Sequence, residues 1–113
     1  MSAVPWWQFI PWLPWRVVAT VEAADEVPEH LPRRGAVLVG SPTYQKWAVF
    51  DCPCRRGHRI MVTLDRSHRP HWRLTEKPLM SLWPSVDAMY GGQRCHYIIR
   101  NGATHWVRDR EQK

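Results

Sequence analysis

Two cysteines flank a single proline in the stretch Asp51-Cys52-Pro53-Cys54-Arg55-Arg56-Gly57-His58, and this feature constrains the chain more than any other. Proline fixes φ and glycine accepts the left-handed region, so the stretch predicts a tight turn that points two sulfurs in one direction. The third cysteine, Cys95, follows much later beside His96. Thiolates combined with an imidazole are soft ligands that suit Zn²⁺ in tetrahedral geometry.

The sequence predicts a zinc site with Cys52, Cys54, Cys95 and His96 as ligands, and His58 is the alternative fourth ligand. Neighbouring residues on a regular strand point to opposite faces. Cys95 and His96 can therefore share one ion only if their strand begins with a turn or bulge. The competing interpretation is three small buried side chains without a metal.

Length and cysteine count bound the class of protein. A chain of 113 residues is one domain. Its three cysteines cannot form a complete disulfide framework, and Cys52 and Cys54 are too close in sequence to bridge each other well. Reduced thiols are typical of the cytoplasm, which we expect as the location.

Short β-branched and aromatic runs predict a mainly β fold. We expect strands over residues 16–21, 36–40, 46–51, 58–64, 72–75, 80–83, 95–100 and 103–107, and one short helix or turn over residues 23–31. Asn101-Gly102 is the strongest hairpin signal, and residues 87–93 are expected to form a loop. The prediction is a small, zinc-ribbon-like antiparallel β domain of two or more hairpins over residues 16–107, followed by a charged tail over residues 108–113.

Residues 1–15 carry four tryptophans and three prolines and form a predicted N-terminal arm. The prolines prevent a continuous helix, and the apolar run is too short to span a bilayer. One interpretation is an arm that packs across its own domain, a partner or a second copy. The other is a segment at a membrane surface, where tryptophan favours the interface.

The net charge is +6, and six arginines concentrate in the middle of the chain. Such a patch could bind nucleic acid, an acidic protein or an anionic membrane, or it could be a solvated face. The patch consists of Arg55, Arg56, Arg59, Arg66, Arg69 and Arg73.

Four short motifs in fixed order resemble the DUF6527 family of small, bacterial, predicted metal-binding proteins. They read Asp-Cys-Pro-Cys-x-x-Gly-His-x-Ile, Trp-x-Leu, Ser-Leu-x-Pro-Ser-Val and Cys-His-Tyr-x-Ile-Arg-Asn-Gly, within residues 17–107. Arg56 stands where that family often has an additional cysteine, a departure that favours His58 or His96 as the completing ligand. The resemblance implies a setting in bacterial ubiquitin-like modification or antiphage defence.

We therefore expect a zinc-binding accessory or adaptor protein with a protein partner and no catalytic residues of its own. The alternatives are a metallohydrolase that removes a modifier, with Glu76 or Asp51 as the base, and a nucleic-acid-binding zinc domain. Ser81 and Ser85 could be nucleophiles, but the sequence shows no group that activates them.

Overall fold

Eight strands form two four-stranded sheets in the computed structural model, which describes residues 4–41 and 43–107. The strands are β1 Arg16–Val21, β2 Gly35–Ser41, β3 Tyr44–Asp51, β4 Arg59–Thr63, β5 Arg73–Thr75, β6 Ser81–Tyr90, β7 Gln93–Arg100 and β8 Ala103–Trp106. The predicted mainly β fold is confirmed. The predicted charged tail, residues 108–113, lies outside the described residues.

The first sheet has the order β1-β2-β3-β4, and β2 is buried along nearly its whole length. Its unbroken apolar sequence is typical of a strand that is covered on both faces. Val37 and Val39 pack with Val49 under the segment that connects β1 to β2. That segment holds the predicted short helix, which is a three-residue 3-10 turn, Ala24–Glu26. β1 and β2 are parallel, and the other pairs of this sheet are antiparallel.

The second sheet has the order β5-β6-β7-β8 and is antiparallel throughout. The predicted hairpin at Asn101-Gly102 joins β7 to β8, and both residues have positive φ. The predicted loop over residues 87–93 is instead strand and tight turn, because β6 continues to Tyr90 and Gly91-Gly92 alone reverse the chain. This longer hairpin matters for the site, since both of its strands carry functional side chains.

The main core lies between the two sheets. Alternate residues of β2, β3, β4 and β7 point into it, as the pleat requires, and β6 contributes Leu82 and Val86 on either side of a bulge. It contains Trp15, Ala36, Leu38, Ala48, Phe50, Cys52, Ile60, Val62, Met80, Leu82, Val86, Cys95, Tyr97 and Ile99. Two of the three cysteines therefore face the same buried layer from different sheets.

The N-terminal segment is attached to the second sheet through Trp15, which is fully buried. Its indole nitrogen donates a hydrogen bond to Thr104 Oγ1 at 2.8 Å, and its backbone nitrogen donates to Gly102 O at 2.9 Å. A Cβ at Gly102 would lie 2.8 Å from Pro14 Cβ, so glycine serves both the turn and this close approach. The predicted boundary after residue 15 thus falls beside a core side chain.

The segment before Trp15 contains one 3-10 turn, Trp6–Phe9. Among the residues that the structure describes, there is no helix with the length and apolar character needed to cross a membrane.

Candidate metal centre and serine–histidine pair

The Cys-Pro-Cys stretch forms the turn between β3 and β4, as the sequence predicts. Cys52 N donates to His58 O at 3.0 Å, and Arg55 N donates to Cys52 O at 3.2 Å. Arg55 and Gly57 have positive φ, which folds the chain back tightly enough for these two bonds to form. The turn therefore presents the Cys52 and Cys54 thiols and the His58 imidazole from one short piece of backbone.

Strand β7 brings Cys95 to this turn from the opposite sheet. One ligand atom from each of Cys52, Cys54, His58 and Cys95 lies within 4.8 Å of the others. Cys54 Sγ is 3.1 Å and Cys95 Sγ is 3.8 Å from His58 Nε2. Tetrahedral zinc with ordinary bond lengths separates its ligand atoms by roughly 3.5–3.8 Å. Three sulfurs and one imidazole nitrogen at this spacing fit a metal ion, and these residues include the alternative fourth ligand, His58.

The two thiols of the turn differ in protonation. Burial raises the pKa of the Cys52 thiol to about 12. Burial also acts to raise the pKa of the Cys54 thiol, but hydrogen bonds from the Arg56 backbone, from Cys52 and from the Arg56 side chain outweigh it and lower this pKa to about 6. A thiolate is thus available at Cys54 at neutral pH, and thiolate is the form that binds a metal.

Arg56 encloses the thiol cluster from the solvent side. Its guanidinium donates to Cys95 Sγ and to Tyr90 O, both at 3.1 Å, and lies over the Tyr90 ring at 5.7 Å from the centroid. The same ring stacks on His58, with ring centroids 4.3 Å apart. Arg56 and Tyr90 therefore connect the turn to the β6–β7 hairpin and hold two of the candidate ligands in place.

His96, the first choice of the sequence analysis for the fourth ligand, lies on the other face of the second sheet. Because β7 begins at Gln93, Cys95 and His96 are both inside a regular strand and point to opposite faces. Cys95 is buried against the thiol cluster, whereas the half-buried His96 reaches Ser85, with Nε2 3.0 Å from Ser85 Oγ. Serine and imidazole at this distance are the pair that nucleophilic catalysis requires.

A bulge in β6 presents Ser85 to His96. Leu82 pairs with Ile99 and Val86 pairs with Tyr97, so residues 83–85 of β6 all lie opposite Ile98. Bulges of this kind redirect a side chain and are common beside active sites. Ser85 is a possible nucleophile by sequence, but the sequence shows no group that activates it. Its partner histidine comes from a neighbouring strand, and the register that pairs the two strands is not visible in the sequence.

An ion pair and two apolar side chains flank the serine–histidine pair. Asp87 lies directly across from His96, and both its oxygens accept hydrogen bonds from Arg94, at 2.7 and 2.5 Å. Hydrogen bonds from Arg94 lower the pKa of the Asp87 carboxyl, and the charge of His96 contributes in the same direction. On the other side, Trp83 is 62% exposed and Ile98 is half-buried. The pair therefore lies on an accessible surface with one charged and one apolar flank.

The predicted arginine patch is divided between the metal turn and distant positions. Arg56 bonds the thiol cluster, and Arg59 pairs with Asp51 at 3.1 Å. The exposed Arg66 and Arg69 lie between β4 and β5, Arg73 lies on β5 and Arg55 lies in the turn. Asp51 is therefore engaged, and Glu76 is exposed just after β5, outside the candidate metal cluster.

A groove with a volume of about 1200 Å³ lies beside the metal turn and is separate from the serine–histidine pair. It is lined by parts of residues 12–15, 29–34, 51–59 and 102–106, and Ser85 and His96 do not contribute to it. The groove therefore does not serve as a pocket around Ser85.

The fold and site together define a small mainly β protein with a serine–histidine pair and a thiol-rich cluster suited to a metal. The family model of BubE, the bacterial ubiquitination-like system serine protease, matches residues 23–107, and the chain belongs to this family. The match agrees with the expected bacterial ubiquitin-like setting, under a family name other than DUF6527. No curated protein and no solved structure matches the chain.

Proposed function

We propose that the protein is a serine peptidase of a bacterial ubiquitination-like system, with Ser85 as nucleophile and His96 as general base. The observation that carries the proposal is the 3.0 Å contact between Ser85 Oγ and His96 Nε2. Membership of a family described as a serine protease supports it independently. The proposal replaces the expectation of a non-catalytic adaptor with an enzyme that acts on a protein partner.

The two side chains would supply the nucleophile and the general base of an acyl transfer. As Ser85 Oγ attacks the carbonyl carbon of the scissile bond, its proton passes to His96 Nε2. The protonated imidazole then gives this proton to the departing amine, which leaves an acyl-serine ester. His96 next takes a proton from water as the water attacks the ester, and returns it to Ser85 as the carboxylic acid product is released.

Asp87 has a positioning role in this proposal. It lies on the same face as His96, and its carboxylate would stabilise the positive charge that His96 acquires during attack. Arg94 holds that carboxylate through two hydrogen bonds, so its position is set before substrate binds. Its contribution should be smaller than that of a direct hydrogen-bond partner, because solvent reaches this surface and screens the charge.

The accessible position of the pair favours a polypeptide substrate. An extended chain can lie on an open sheet face, whereas small substrates are usually enclosed in concave pockets. The exposed Trp83 provides an apolar contact next to Ser85. By sequence, removal of a modifier from a protein is expected of a metallohydrolase. In this proposal Ser85 is the nucleophile of the same reaction.

The thiol cluster is proposed to be a structural zinc site formed by Cys52, Cys54, Cys95 and His58. The donor set is rich in sulfur, which favours zinc over harder cations. Four protein ligands leave no position for a reactive water, so the bound ion would supply folding free energy rather than hydrolytic chemistry. Its ligands join the β3–β4 turn to β7, the strand that also carries His96. Reduced thiols in such a site agree with a cytoplasmic location.

A fluorophosphonate probe tests the proposal without knowledge of the substrate. We expect the protein to be labelled, mass spectrometry to locate the probe on Ser85, and Ser85→Ala to abolish labelling. Ser81→Ala is the matched control on the same strand, since Ser81 Oγ accepts a hydrogen bond from Asn101 N and has no histidine contact.

Three results would contradict the proposal. Labelling that persists in Ser85→Ala, or that maps to another residue, would show that Ser85 is not the nucleophile. Failure of the folded wild-type protein to react at all would show that Ser85 is not activated. Peptidase activity that survives Ser85→Ala but disappears on metal chelation would favour the metallohydrolase.

A further inference from the structure

The N-terminal segment displays the most exposed aromatic side chains of the described chain, and it lies outside the family match. The exposed fraction is 81% for Trp6, 78% for Trp12, 48% for Trp7 and 46% for Phe9. Four large aromatic groups exposed so close together on one segment mark an interaction surface rather than ordinary surface composition. We call these four residues the aromatic surface.

The segment that carries the aromatic surface is already bonded to the domain. Arg16 donates hydrogen bonds to Gln8 Oε1 at 2.6 Å and to Gln8 O. Arg34 donates to Pro11 O at 2.9 Å and to Leu13 O at 3.3 Å. The inward-facing polar groups are thus satisfied within the chain, and the aromatic rings that face outward are presented on an anchored backbone.

Positive charge accompanies the aromatic surface. Residues 1–21 contain no Asp or Glu. Arg16, Arg33 and Arg34 form no ion pair within the part of the chain that the structure describes. Burial and the charge of Arg34 lower the pKa of the Arg16 guanidinium, which shows that these cations are crowded. An anion at this surface would relieve their repulsion.

Acidic groups of the adjoining groove oppose this charge only weakly. Glu29 and Asp51 line the groove together with Arg33 and Arg34. Asp51 is paired with Arg59, so Glu29 is the carboxylate left to act on the arginines from that side. The surface therefore combines aromatic rings with a net positive charge.

The chemistry of the segment favours lipid over protein as the occupant. Between residues 4 and 15 the only polar side chain apart from the indole N–H groups is Gln8, and it is buried. The exposed side chains of this segment offer indole N–H donors and no acceptor, whereas protein interfaces typically carry about one hydrogen bond per 100–200 Å² with donors and acceptors on both partners. A bilayer interface requires no such matched partners, and tryptophan is enriched there.

We propose that the aromatic surface docks the protein on an anionic lipid bilayer. Trp6, Trp7, Phe9 and Trp12 would enter the interface, and the exposed Arg33, which lines the same groove as Trp12, would face the lipid phosphates. Apolar burial and attraction to anionic lipids add in this mode of binding, and the net charge of +6 strengthens the second contribution. This inference concerns a surface remote in sequence from Ser85 and does not depend on the peptidase activity.

Vesicle flotation with the full-length protein tests the inference. We expect flotation with vesicles that contain phosphatidylglycerol, little flotation with pure phosphatidylcholine, and weaker binding as salt increases. Trp6→Ser/Trp12→Ser should reduce the partition coefficient at least about tenfold, because each indole removes a large apolar surface from water. Both side chains are exposed, so the variant should keep the wild-type melting temperature.

Trp83→Ser is the matched control, since Trp83 is 62% exposed but lies on β6 outside the aromatic surface. It should bind vesicles like the wild type. Absence of binding to anionic vesicles would overturn the inference, as would equal binding of the Trp6→Ser/Trp12→Ser variant. A third result is that the wild type self-associates without binding vesicles and that the double variant abolishes this self-association. That result would show that the aromatic surface binds a second copy of the chain and not lipid.

Discussion

The two faces of β7 present two different sites from adjacent residues. Cys95 is 1% exposed and joins a cluster of thiols and imidazole between the sheets. His96 is half-buried and contacts Ser85 on the accessible face. The pleat alone separates them, since neighbouring side chains of a strand point in opposite directions.

This contrast separates the two roles that we propose, a structural role for the thiol cluster and a reactive role for the serine–histidine pair. The thiol cluster is buried and joins both sheets, which suits a site that contributes folding free energy. The serine–histidine pair is half-buried on the outer face of the second sheet, a position that suits the polypeptide substrate that we propose. Because one strand carries both, an ion held by Cys95 would also fix the backbone from which His96 projects.

The largest effect is expected for His96→Ala, a variant that distinguishes a general-base role of His96 from a metal-ligand role. His96→Ala should lower peptidase activity by roughly 10²–10⁴-fold, because Ser85 loses its general base. It should leave the metal content and the melting temperature near wild-type values, since His96 does not belong to the thiol cluster. Steady-state or probe-labelling kinetics, elemental analysis and thermal unfolding measure the three quantities. Loss of metal in this variant would instead assign His96 as the fourth ligand.

The reciprocal variant, His58→Ala, should affect the metal and the fold. We expect the bound zinc to fall well below one ion per chain and the melting temperature to fall by at least about 10 °C, because structural zinc contributes several kcal/mol to folding. Elemental analysis of protein purified without chelator and differential scanning calorimetry provide the test. A variant that retains both metal and stability would show that His58 is not a ligand.

A smaller effect is expected from the outer contacts of the cluster. Arg56→Gln removes the cation that bonds Cys95 Sγ, and loss of an outer-shell partner typically costs about 10–100-fold in metal affinity. Competition with a chromophoric chelator measures this affinity. Arg55→Gln is the control, because Arg55 is the exposed neighbour with the same side chain, whereas the hydrogen bond to Cys95 Sγ comes from Arg56. Equal weakening in both variants would indicate a general charge effect rather than this hydrogen bond.

Local patterns predicted the strands and the turn better than they predicted the site. β1 coincides with its predicted range, and Asn101-Gly102 forms the expected hairpin, because β-branched runs and turn residues act over a few positions. The three cysteines converge as their spacing suggested. The ligand role that we propose for His58 and the reactive role that we propose for Ser85 depend on where β7 begins and on the bulge opposite Ile98. Both are properties of strand register, which is set by contacts between segments that are distant in sequence.

The smallest expected effect concerns the ion pair beside Ser85. Asp87→Asn should lower the free energy of unfolding at neutral pH by no more than about 1 kcal/mol, because Asp87 and Arg94 are both exposed and screened by solvent. The folded-state pKa of Asp87 is lowered, so its stabilising contribution is present above the unfolded carboxyl pKa of about 3.9 and is lost as the pH falls through the lowered value. Denaturant unfolding of both proteins in a series of buffers from neutral to acidic pH should show the difference shrinking in acid. If the loss of unfolding free energy in Asp87→Asn stays constant or grows in acid, Asp87 stabilises the fold by something other than its charge. The outer face of the second sheet would then also contribute to stability, a role that we propose only for the thiol cluster.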